Sequence, residues 1–261
     1  MIKEKNLQKI IPDFTYISDK ELIQTLKDQE ISVGENLNLT EQEAGILYIT
    51  DDANKAKEAK EKGLAVLIYL HEGNIEQSFE GFRFYIEGFE DAPKEYYQRV
   101  YQREMGIPWE IAQTERLRIR EMAVEDTDAL YKLYQDKSVV RYMEDLPLDR
   151  EEEKVYIRDY IDKVYGVLGF GMWLIELKDT GKIIGRVGFQ NYEKENQVEL
   201  GFLIEPKYQR CGYAYEACMA ALEYIREEFD YLEVVIRCHR NNGAAAALCK
   251  KLGMECILIE S

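Results

Sequence analysis

The sequence predicts an α/β fold built as two compact domains, and three observations carry that expectation. Short apolar runs alternate with stretches of helical spacing along the whole chain. The 261 residues exceed the ~100–200 of a usual domain. Residues 104–113, EMGIPWEIAQ, read as a joint, because Gly106 ends a helix and Pro108 prevents it from resuming. The expected division is a smaller α/β domain over 1–107 and a larger one over 114–261.

In the first half, residues 19–30 show helical spacing behind a cap at Ser18 or Asp19. Residues 45–50 form an apolar strand, and 51–62 a helix with Ala53, Ala56 and Ala59 on one face, stopped by Gly63. A second buried strand spans 64–70, a third 82–86, and a closing helix 93–105. Strands apolar throughout, joined by a helix, imply a parallel sheet covered on both faces, in a degenerate Rossmann-like arrangement. Residues 45–70 resemble a fragment of the haloacid dehalogenase-like phosphatases, with Asp51 and Asp52 where that family has metal-binding acids. Lys55 stands where a second acid is usual, and no Asp-x-Asp strand precedes them. The plain reading is two carboxylates capping a helix N-terminus. A covering, regulatory or oligomerising role is expected for this domain.

In the second half, 114–120 alternates apolar and arginine positions as a half-buried strand, and 124–136 and 151–167 are helical. Strands follow at 171–177 and 182–192, joined by the turn Asp179-Thr180-Gly181, and at 197–204. A long helix over 216–229, a strand over 232–238, an Ala-rich helix over 244–252 ended by Gly253, and a strand over 255–259 complete the chain.

The strand at 197–204 runs into Gln209-Arg210-Cys211-Gly212-Tyr213-Ala214, of the form Q-x-x-G-x-A, at the start of the long helix. A helix start offers free N–H groups to an anion, and Gly212 and Ala214 let backbone approach it closely. Such a loop suits a pyrophosphate. With Thr114–Arg120, Val140-Arg141-Tyr142-Met143, Ile184–Phe189 and the span from Asn242 to the Lys-Leu-Gly-Met ending, it resembles the GNAT acetyltransferases. Within them it looks most like the ribosomal-protein N-terminal acetyltransferase branch, from about Thr114 to Ile257.

The resemblance implies a mixed central sheet splayed between strands 197–204 and 232–238, with flanking helices, that binds acetyl-CoA. Phe202, Leu203 and Ile204 would hold the pantetheine arm, Gln209 to Ala214 the pyrophosphate, and Asn242 would reach the arm, brace the splayed strand or cap its helix. Glu199 stands where relatives often carry an acid and is the candidate base; the alternative is a strand residue facing solvent. Many relatives have Tyr where this chain has Cys249, and often Ser where it has Ala245. Cys249 is thus either the acid for the leaving thiolate or a core filler. Tyr142, Trp173 and Asn191 are candidate walls for the acceptor. The function implied is N-acetyl transfer to a small-molecule amine or peptide N-terminus. A noncatalytic acyl-CoA sensor is the second reading that Cys249 and Ala245 leave open.

A formal charge of −16 repels phosphate backbones, so nucleic acid is not an expected partner, whereas amines are. The five cysteines form no C-x-x-C pair, and no metal site is expected. No apolar run approaches the ~20 residues of a membrane span, and the N-terminus lacks a secretory pattern. A cytoplasmic protein is expected. The resemblance implies one more strand than this sequence carries, so an open sheet edge is expected to be covered by the first domain or by a second subunit, the latter as a homodimer.

Overall fold

The computed structural model describes residues 6–17, 20–28, 31–34, 45–90, 92–136, 139, 146, 149–194, 196–230 and 232–260. Contacts divide the chain into two units, Met1–Trp109 and Glu110–Ser261.

In the first unit β1 (Lys9–Asp13), β2 (Ile46–Thr50), β3 (Ala65–Tyr69) and β4 (Tyr85–Ile86) form a parallel sheet in that order. Ile10, Leu47, Ile49 and Leu67 pack with Leu26 of α1 (Lys20–Asp28) and with Tyr97, Val100 and Tyr101 of α3 (Lys94–Glu104). Ile11, Ile46, Tyr48 and Val66 pack with Ala53, Ala56 and Ala59 of α2 (Ala53–Glu61). Both faces are buried, which is why these runs are apolar throughout. β1 is absent from the predicted strands because Pro12 interrupts it. Ile10 turns its N–H and C=O to Ser32 and Gly34, away from β2. Pro12, two residues on, faces the same way, so its missing N–H costs the β1–β2 ladder nothing.

The two acids expected to cap α2 divide their work. Asp52 alone caps it, accepting from the N–H groups of Asn54 and Lys55. Asp51 is fully buried and accepts from the N–H of Thr15 at 2.6 Å and of Tyr16 at 2.9 Å, with His71 Nε2 at 3.2 Å. It ties the end of β2 to the chain leaving β1. Asp13 receives Tyr48 Oη and Lys55 Nζ, each at 2.5 Å. Among the described residues no group of His, Cys, Asp and Glu is placed to hold a metal ion. The expected cap at Ser18 or Asp19 lies outside the described residues.

The second unit is one seven-stranded sheet ordered β11-β10-β9-β8-β7-β6-β5. Its strands are β5 (Glu110–Gln113), β6 (Leu117–Arg120), β7 (Met172–Leu177), β8 (Ile183–Asn191), β9 (Gln197–Ile204), β10 (Glu233–His239) and β11 (Cys256–Ile259). Pairing is antiparallel from β5 to β9 and parallel from β9 to β11. β5 falls inside the predicted joint, because EIAQ carries no apolar run. The helices are α4 (Thr127–Tyr134), α5 (Arg150–Tyr160), α6 (Gly166–Leu168), α7 (Tyr213–Glu228) and α8 (Gly243–Leu252). Trp173, Val187, Phe189 and Leu200 share a core with Ala217, Ala221 and Tyr224 of α7. Leu203 packs with Leu133 and Tyr134 of α4.

Between α5 and α6 the helix widens into a π-turn at Ile161–Tyr165. Tyr160 and Tyr165 both reach Met172: its N–H donates to Tyr160 Oη at 2.9 Å, and Tyr165 Oη donates to its C=O at 2.5 Å. Opposite, β7 and β8 approach so closely that a Cβ on Gly188 would stand 1.9 Å from the carbonyl oxygen of Gly171. Gly188→Ala is therefore expected to cost about 2–3 kcal/mol, read as a lower urea midpoint against the parent chain. An unchanged midpoint would show that the backbone relaxes freely there.

Candidate active site

β9 and β10 pair at three positions only, Gln197 with Glu233, Val198 with Val234 and Glu199 with Val235. Beyond that rung β9 stays bonded to β8 as far as Ile204, while β10 continues its pairing with β11 from Ile236. The facing edges of 200–204 and 236–239 therefore diverge. Their N–H and C=O groups are open to an extended, amide-bearing ligand. Leu203 and Ile204 are buried and Phe202 is half-buried, so these three residues offer the opening their backbone rather than their side chains.

At the end of β9 a short turn over Pro206–Tyr208 leads into the loop. Gln209 Nε2 donates to the carbonyl of Ile204 at 3.0 Å. Arg210 and Gly212 adopt left-handed backbone, with φ of 60° and 87°; at Gly212 the absent Cβ makes this cheap. Gly212 is the N-cap of α7 and, among the described residues, no side chain caps the helix, which leaves its first N–H groups available. Gln209, Arg210, Cys211 and Gly212 are exposed, while Tyr213 and Ala214 are partly buried.

The loop is braced by a residue that the sequence reading did not single out. Arg116 donates from Nη1 to the carbonyl of Cys211 at 3.0 Å and from Nε to Glu216 Oε2 at 2.7 Å, with its guanidinium 4.3 Å from the centre of the Tyr213 ring. Glu216 also accepts from Thr114 Oγ1 at 2.6 Å and from the Arg116 N–H at 3.0 Å. Burial pushes the Glu216 carboxyl up, but the hydrogen bonds from Thr114 and Arg116 outweigh it and hold the group below the usual carboxylate value. Nothing in the spacing signals this brace, since its partners lie about a hundred residues apart.

Glu199 occupies the last rung before the strands part and is buried, so the solvent-facing alternative is set aside. Its Oε2 accepts from Gln190 Nε2 at 2.9 Å and from Arg237 Nε and Nη2 at 2.8 and 2.6 Å. Arg237 sits on the diverging arm of β10 and lies over the Tyr192 ring at 5.1 Å. The hydrogen bond to Glu199 holds its guanidinium above the usual value, firmly charged. The available signal was one arginine inside the apolar run Val234-Val235-Ile236-Arg237-Cys238.

Two expected site residues belong to the core instead. Trp173 is fully buried between Phe189 and Tyr224, at ring-centre distances of 5.8 and 5.2 Å, and cannot wall an acceptor pocket. Cys249 is 1% exposed and packs in the core that α7 covers. Burial pushes its thiol up, and its neighbour Cys218 is pushed up to about 12, so Cys249 is a poorer proton donor than an open thiol. Asn242 caps α8, its Oδ1 accepting from the Ala245 N–H at 3.1 Å. Asn191 is exposed at the end of β8. Tyr142 lies outside the described residues.

A profile of the acetyltransferase (GNAT) domain matches residues 116–255, more than half of the chain. The uncharacterized N-acetyltransferase YnaD of Bacillus subtilis (strain 168) is 30% identical over 145 residues, which are 54% of this chain and 80% of that protein. YjdG of the same organism, likewise described as an uncharacterized N-acetyltransferase, is 28% identical over 150 residues, 55% of this chain and 88% of its own. The crystal structure of a GNAT-family acetyltransferase from Bacillus anthracis is 26% identical, covers 55% of this chain and 82% of its own, and superposes with a TM-score of 0.47.

The brace beneath the loop has a pH signature. A carboxyl held low in the folded state stabilises the fold above its unfolded value of ~4.3, and that contribution is lost as pH falls through the lower folded value. Glu216→Gln should therefore lower the melting temperature at pH 7, with the gap to the parent chain closing below about pH 4. A gap independent of pH would place the cost in packing rather than charge.

Proposed function

The chain belongs to the GNAT acetyltransferase family, and on that premise we propose that it moves an acetyl group from acetyl-CoA to a primary amine by direct attack. The acceptor is a small molecule or a peptide N-terminus. The observation that carries this reading is the parting of β9 from β10 next to an uncapped helix start. An acyl group on an amide-bearing arm that ends in a pyrophosphate needs an open strand edge and a cluster of N–H donors. Residues 200–204 and 209–214 supply the two in sequence, joined by the Gln209–Ile204 hydrogen bond.

In this reading the backbone of Phe202, Leu203 and Ile204 holds the arm. An N–H near Phe202 or Leu203 receives the charge that develops on the carbonyl oxygen. Gln209, Arg210, Cys211, Gly212, Tyr213 and Ala214 hold the pyrophosphate, aided by the dipole of α7. Asn242 steadies the β10 arm through the cap of α8. Glu199 takes the proton of the amine, through water, and Asn191 borders the acceptor. With Cys249 in the core, the thiolate leaves unassisted or takes its proton from water. Residues 1–107 act as a separate Rossmann-like module with a regulatory or oligomerising role beside the transferase domain of 114–261, in the cytoplasm.

The core position of Cys249 and the pairing of Glu199 also favour a second reading, a noncatalytic acyl-CoA sensor. Calorimetric titration with acetyl-CoA, followed by thiol release against an amine panel, separates them. The transferase binds and releases thiol with some amine; the sensor binds and releases none. Gly212→Val, which forces a branched residue into left-handed backbone, should weaken acetyl-CoA binding about tenfold or more. Glu199→Gln should lower turnover about a hundredfold with acetyl-CoA affinity kept; an unchanged rate would remove Glu199 as the base.

A further inference from the structure

Strand parity gathers a set of polar side chains at the foot of the opening. Residues directly opposite one another share a face, so Gln190, Glu199 and Val235 lie on one side of the sheet, and Arg237 lies on that side two residues beyond Val235. The opposite side carries the apolar row of Val198 and Ile236, buried in the core with α7. The Glu199–Arg237 pair therefore faces away from α7.

Arg237 is held in a fixed pose. Nε and Nη2 both donate to Glu199 Oε2, and the guanidinium carbon lies over the Tyr192 ring, 5.1 Å from its centre. Tyr192 is itself steadied, its hydroxyl donating to Glu193 Oε1 at 3.1 Å. Among the described residues Nη1 of Arg237 has no hydrogen-bond partner, and the side chain is 33% exposed. A guanidinium anchored on one edge and set over an aromatic ring has little left to lose on binding, and its free edge matches a carboxylate.

We propose that Arg237 recognises a carboxylate on the acceptor, so that the acceptor is a free α-amino acid rather than a peptide N-terminus or a simple amine. This rests on the transferase reading above. Glu199 and Arg237 stand side by side as anion and cation, and an α-amino acid presents the complementary ammonium and carboxylate two bonds apart on one carbon. The ammonium lies on the Glu199 side, which takes its proton through water, and the carboxylate goes to the Nη1 edge. A polyamine brings its second charge to a guanidinium and is repelled. A peptide N-terminus brings a neutral amide there and leaves the guanidinium edge short of a charged partner.

The test uses the full chain with acetyl-CoA and pairs of acceptors that differ only at the carboxylate, each α-amino acid against its carboxamide, read by thiol release. The wild-type chain should favour the acid by about 10- to 100-fold in kcat/KM for at least one pair, mostly through KM. Arg237→Gln should collapse the ratio of acid to carboxamide towards one, and Arg237→Lys should recover part of it. Carboxamides accepted as well as acids by the wild-type chain would overturn the proposal and leave the transferase reading standing. A ratio that survives in Arg237→Gln would overturn it too. Acetyl-CoA binding without release on any amine would overturn both.

Discussion

The unpaired stretch between β9 and β10 is the constraint on which the second unit depends. Backbone donors and acceptors inside a sheet are costly to leave without partners, so two parallel neighbours do not separate unless each is held elsewhere. β9 is held by β8 along its whole length and β10 by β11. The three rungs before the opening are closed by side chains as well as backbone. Gln197 Nε2 donates to Glu233 at 2.7 Å across the first rung, and Arg237 reaches back to Glu199 across the last. The opening is a designed end to pairing, clamped at its foot, rather than a frayed edge.

Charge is distributed against the overall balance. The chain carries a formal −16, yet arginines concentrate where anionic groups would come. Arg116 braces the loop, Arg210 stands on it and Arg237 faces the opening. The first two strands of this unit use arginine differently. Arg118 and Arg120 both pair with Glu176 on β7, and Arg120 also makes a two-point contact with Asp126 ahead of α4. Those guanidiniums pair with carboxylates of the same unit and serve the sheet. Arg116 is likewise engaged, by Glu216 and the Cys211 carbonyl, whereas Nη1 of Arg237 has no hydrogen-bond partner among the described residues.

Local features were legible in the sequence and non-local ones were not. The Q-x-x-G-x-A loop and the strands and helices from β6 onward could be read because each is written in consecutive residues, whereas the parting of β9 from β10 was expected only from the family resemblance. β1 escaped because a proline in a strand normally argues against one, and only the pairing pattern shows that Pro12 faces the harmless side. β5 escaped because EIAQ has no apolar run. The brace of Arg116 on Glu216 and the clamp of Arg237 on Glu199 join residues far apart in the chain, so no spacing announces them. Trp173 as a pocket wall did not hold, and Cys249 stayed open between acid and core filler, for another reason. A tryptophan or a thiol looks the same in a core as in a pocket, and which face of its element turns inward is settled by packing.

The π-turn at Ile161–Tyr165 has a consequence for how this protein is compared with others. A helix advances about 100° per residue, so a turn that takes in one extra residue rotates everything before it relative to everything after. Upstream of the turn the inward-facing positions are Glu153 and Ile157, buried to 2% and 0% exposure. Downstream the inward position is Tyr165, in a different phase. An ungapped alignment running through this segment onto a relative with an uninterrupted helix would match residues that point in unlike directions. Residue-by-residue comparison across α5 and α6 with an uninterrupted helix therefore holds on one side of the turn at a time.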